Sequence, residues 1–110
     1  VNAICKFVET VSPTNGGDAP ECYELVLHEA QSFSWKSLHS KSLVVIGDEV
    51  PHPPNYTEKN INWRTELGKL AEMGMTVYGV QALNRRHATP FYTELADKTG
   101  GYHITLDQFA

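Results

Sequence analysis

Apolar positions along the chain repeat at two different periods, and each change of period marks a new element. In VNAICKFVETV the residues Ile4, Phe7, Val8 and Val11 stand at helical spacing, so a helix is predicted from the very start of the chain. The turn-rich SPTNGG at 12–17 breaks it. A second helix is predicted from about residue 18, with Cys22, Leu25, Val26 and Ala30 on one face. Asp18 and Glu21 fit a helix-start box, and Pro20 is tolerated in the first turn. SLVVI at 42–46 is short, β-branched and unbroken by polar residues, which predicts a strand covered on both faces. PHPPN at 51–55 then enforces an extended loop.

A third helix is predicted at about 62–73, with Asn62 as its cap, Trp63, Leu67, Leu70 and Ala71 as its apolar stripe, and Gly74 as its stop. MTVYGV at 75–80 reads as a second buried strand, followed by the loop QALNRRHA. Thr89 is placed to cap a fourth helix over 90–98, with Pro90 at its first position. Gly100 and Gly101 end that helix, and YHITL at 102–106 alternates like a last strand. Strand and helix alternating through short connections predicts one α/β domain over 1–110. Its expected architecture is a Rossmann-like, doubly wound, mostly parallel sheet of about three strands, with four helices distributed over both faces.

Composition narrows the function classes. A chain of 110 residues with 41% apolar and 20% charged content has material for one modest core. The net charge of −4 argues against nucleic acid, because phosphate backbones demand a clustered excess of Lys and Arg that NRRH at 84–87 does not supply. No window is long and apolar enough for a membrane span, and no secretion signal is visible, so the expected location is the cytoplasm. Cys5 and Cys22 form no CxxC pair and are expected to be reduced and partly buried.

The candidate chemistry lies where strands end. In open parallel sheets ligands sit beyond the carboxyl ends of the strands, and the first strand runs directly into Asp48 and Glu49. A hard cation such as Mg²⁺ wants several oxygen ligands, which a rim carboxylate with neighbouring hydroxyls could offer. Asp18, beside a Gly pair, is a second oxygen source. Glu49 and Glu21 are expected as rim acids, and His52 as a rim residue bonded to backbone. Arg85 and Arg86 follow the second strand on the same rim, where forked hydrogen bonds could take an acidic partner. The alternative is that Arg86 or His87 braces the rim internally. His28, His39, His52, His87 and His103 show neither the i, i+4 nor the HxH spacing of a zinc site. An enzyme of hydrolase or phosphatase type would use Asp48 as nucleophile or acid, yet no GxSxG or phosphate loop accompanies it, and no activity is expected.

The run GGDAPE, SLVVIGDEVPH, NWRTEL and VYGVQALNRRHATPFYTELADKTGGYH resembles the C-terminal half of a von Willebrand factor type A domain. The resemblance implies a doubly wound α/β sheet and non-enzymatic binding of a protein partner. It also implies a divalent cation, Mg²⁺ or else Mn²⁺ or Ca²⁺, whose open position accepts an acidic side chain of the partner. It places Asp48 at the family's later metal-site Asp, and Asp18 near a position where many members carry Thr. The family's Asp-x-Ser-x-Ser motif does not occur in the 110 residues, so the cation site is expected to be incomplete and Mg²⁺ binding weak. On this reading the chain is the second half of such a domain. Its first strand would then be an unpaired apolar edge at residues 43–46, able to pair with a second copy or with other strands.

Overall fold

The computed structural model describes residues 2–10, 19–35, 40–56 and 58–106. It contains the helices α1 (Asn2–Thr10), α2 (Tyr23–Ala30), α3 (Trp63–Glu72) and α4 (Thr89–Thr99), and the strands β1 (Lys41–Gly47), β2 (Met75–Ala82) and β3 (His103–Leu106). The strands form one parallel sheet in the order β1-β2-β3, with Val45 beside Gly79 and Gly79 beside His103. The architecture is α/β, a partial Rossmann-like layer. No helix among the described residues is long and apolar enough to cross a membrane.

Local chemistry explains the boundaries. Asn62 caps α3 by accepting the Arg64 backbone N–H at 3.0 Å. Gly74 and Gly100 take left-handed backbone at φ 79° and 77°, where a side chain would be strained, and so end α3 and α4. Two predicted starts are corrected. The cap of α4 is Ala88, not Thr89; Thr89 is already helical, and its Oγ1 reaches back to the Arg85 carbonyl at 3.4 Å. Helix α2 begins at Tyr23, because Glu21 is held outside it in a parallel bridge to Pro51. The expected partner of Glu21 in a helix-start box, Asp18, lies outside the described residues.

The core forms on one face of the sheet. Val45, Met75 and Val77 point into it and meet Leu27 of α2, Leu67 and Leu70 of α3, and Phe91, Tyr92 and Leu95 of α4. Helix α4 approaches β2 so closely that a Cβ on Gly79 would lie 2.5 Å from the Tyr92 carbonyl oxygen. Where β3 has not yet begun, Thr99 completes the ladder: its Oγ1 accepts the Val77 N–H at 2.7 Å. Glu66 joins α3 to α2 through Gln31 and through His28 at 3.2 Å. Burial raises the Glu66 carboxyl, but Gln31, His28 and Lys69 together bring it below the ordinary range.

Among the described residues the other face is uncovered. Val44 is 53% exposed and Ile46 63%, with Ile104 and Leu106 also exposed and Tyr102 stacked on Tyr78 at 6.3 Å. The expected helices on both faces are therefore corrected for α2, α3 and α4, which share one side. The reason is topological: strands taken in chain order advance the sheet one way, and crossovers of one hand then deposit their helices on one face. Covering both faces requires the order to reverse. It follows that β1 is buried on one side only, and that its outer edge has no partner strand among the described residues.

Candidate functional site

The ends of β1 and β2 meet at the C-terminal rim of the sheet. Gly47 is the last residue of β1, and a Cβ there would collide with the hydroxyls of Tyr23 and Tyr92. Glycine thus lets two tyrosines close under the rim. The buried Tyr92 hydroxyl donates to the Glu49 carbonyl at 2.9 Å, and burial pushes its pKa well up, so it remains a donor. Beyond this point Asp48 and Glu49 take different places. Asp48 is partly exposed and lies 3.6 Å from the Arg85 guanidinium. Glu49, expected as a rim acid, is buried instead, with one carboxylate oxygen on Arg85 and the other 2.9 Å from His87 Nε2.

The His87 hydrogen bond is the main influence holding the Glu49 carboxyl below the ordinary carboxylate range. Arg85 assists, against burial that acts the other way. The Arg85 loop is anchored in turn by Gln81. This fully buried side chain donates to the Arg85 carbonyl at 2.9 Å and meets His103 Nε2 at 3.1 Å. Of the two arginines expected to face a partner, Arg85 is spent on Asp48 and Glu49. Arg86 is exposed, and its side chain makes no hydrogen bond or ion pair among the described residues. The internal brace is therefore supplied by Arg85 and His87, acting on Glu49.

The strand-end donors among the described residues do not by themselves suit Mg²⁺. A hard cation needs carboxylates still in want of positive charge and several further oxygens. Here Asp48 shares a guanidinium, and both oxygens of Glu49 are saturated by basic side chains. Asp18, the other expected ligand, lies outside the described residues.

A second group stands beside the rim. The bridge between Glu21 and Pro51 is made by the Glu21 N–H to the Val50 carbonyl at 2.9 Å and the His52 N–H to the Glu21 carbonyl at 3.3 Å. It sets the first residues of α2 against the loop after β1. Glu24, buried, takes the His52 backbone N–H at 3.1 Å and lies 3.2 Å from its Nδ1. His52, expected at the rim and bonded to backbone, is buried and bonded to a carboxylate, and Tyr56 stacks on its ring at 3.7 Å. Cys22, expected to be partly buried, is exposed and reduced, as is Cys5. The sulfur of Cys22, a carboxylate oxygen of Glu24 and a ring nitrogen of His52 all lie within 4.8 Å of one another. Spacing could not reveal this group, because Cys22 and His52 are brought together by the bridge across two elements.

Comparison with known proteins gives no matching family model, no matching curated protein and no matching solved structure.

Proposed function

We propose that the chain is a protein-interaction module of the von Willebrand A type, which docks a protein partner on the outer edge of β1 and over the bare face of the sheet. One observation carries this reading: Ile46, Val80 and Ile104 stand side by side across all three strands, with Val44 and Tyr78 in the row below. Among the described residues no layer covers them. Contiguous exposed apolar surface of this kind marks an interaction site, and the unpaired backbone of an edge strand is a template for a further strand. The fitting partner presents a strand to β1 and apolar side chains to the face beside it. The rim carboxylates serve to clamp their own loop, so the contact proposed here needs no cation.

Without its partner the chain should satisfy the same surface with a second copy. Light scattering across a concentration series of the wild-type chain is expected to show self-association, and Val44→Lys with Ile46→Lys to abolish it while leaving the circular dichroism spectrum unchanged. A wild-type chain that stays monomeric throughout would refute the proposal.

A further inference from the structure

We infer that Cys22, Glu24 and His52 form a binding site for a transition-metal ion of the Zn²⁺ class, separate from the strand-end carboxylates and from the sheet face. Thiolate, imidazole and carboxylate together are the donors such an ion takes, whereas Mg²⁺ and Ca²⁺ take oxygen alone. The spacing fits. Ligands at about 2.0–2.3 Å from a tetrahedral ion lie about 3.3–3.7 Å from one another. The His52 Nδ1 to Glu24 Oε1 separation of 3.2 Å is already close to such an edge. The three ligand atoms fall within 4.8 Å of one another, so the site closes by a movement of about 1 Å in an exposed side chain, Cys22.

The site is built into the fold. Glu24 and His52 are each only 4% exposed, and the stacked Tyr56 ring fixes the imidazole plane at 12° to its own. The backbone bridge from Glu21 to Pro51 holds the two ligand-bearing segments in register. Cys22 and Glu24 also line a cavity of about 320 Å³, together with Leu25, Glu58, Lys59 and Ile61. Three ligands come from the described residues, and a tetrahedral ion takes one more donor to complete its shell. On binding, Cys22 gives its thiol proton to solvent and coordinates as thiolate.

The test is titration of the intact chain with Co²⁺ and then Zn²⁺. One Co²⁺ per chain is expected, with a thiolate-to-metal charge-transfer band and the visible bands of a tetrahedral ion, all displaced by one equivalent of Zn²⁺. Cys22→Ser should remove the charge-transfer band and weaken Zn²⁺ binding by more than about 100-fold, beyond the ~10–100-fold that loss of a supporting residue costs. Cys5→Ser should leave both unchanged. His52→Asn provides a second ligand test, its folding checked by circular dichroism. Absence of a stoichiometric charge-transfer band in the wild-type chain would overturn the assignment, as would Zn²⁺ affinity indifferent to Cys22→Ser. Glu24 and His52 would then be only a buried pair that anchors the loop.

Discussion

Leu83 follows β2 in the left-handed region at φ 63°, where a residue with a Cβ is strained by about 1 kcal/mol or more, and the residue is 40% exposed. Leu83→Gly should therefore raise unfolding free energy by roughly 0.5–1 kcal/mol in urea denaturation, since little packing is lost. A loss of stability would show that Leu83 packs more tightly than its exposure implies. Glu49 makes the other residue-scale prediction. Its folded carboxyl titrates below the ordinary value of 4.5. The stability it contributes is thus fully present above that value and is lost as pH falls through the lowered one. Glu49→Gln should be less stable than wild type near neutrality, and the gap should narrow on acidification below about pH 4. Denaturation midpoints measured from pH 7 to pH 3 check this. That β1 delivers two acids to the C-terminal rim of the sheet was legible in the sequence. Which acid is buried was not, because Arg85 and His87 approach from a loop 36 and 38 positions away.

At the scale of elements, close approach between α4 and β2 is set by glycine. Gly79→Ala would drive a methyl group into the Tyr92 backbone and should cost about 1–3 kcal/mol, while Asn62→Ala at the cap of α3 should cost about 1 kcal/mol. Thermal melts of the two variants check both effects, and a Gly79→Ala chain as stable as wild type would contradict the packing argument. The elements themselves were readable wherever a local rule governs them. Periodicity anticipated α1 to α4 and β1 to β3 among the described residues, and Gly74 and Gly100 marked the stops of α3 and α4. The late start of α2 has its cause in a contact remote in sequence, since the helix yields Glu21 to Pro51. The start of α4 is off by a single residue, Ala88 taking the cap in place of Thr89.

At the scale of the whole molecule, the described residues form a parallel sheet with helices packed on one face. Strand order is not written in any single segment, and the uniform apolar run of Leu43 to Ile46 looked like a strand buried on both sides. Its composition instead serves two surfaces, with Val45 in the core and Val44 and Ile46 in solvent. The proposed role rests on that asymmetry: a sheet face this apolar, beside a β1 edge with no partner strand among the described residues, offers a surface that a protein partner would complete. Hydrogen exchange of the β1 amides tests this most directly. Alternate N–H groups of residues 41–47 point away from β2 and have no ladder partner on that side among the described residues. The account predicts rapid exchange at these positions in dilute chain, and protection that grows with concentration in the wild type but not in Ile46→Lys. Protection independent of concentration and unaltered by Ile46→Lys would contradict it, and would mean that the edge of β1 is closed within the single chain.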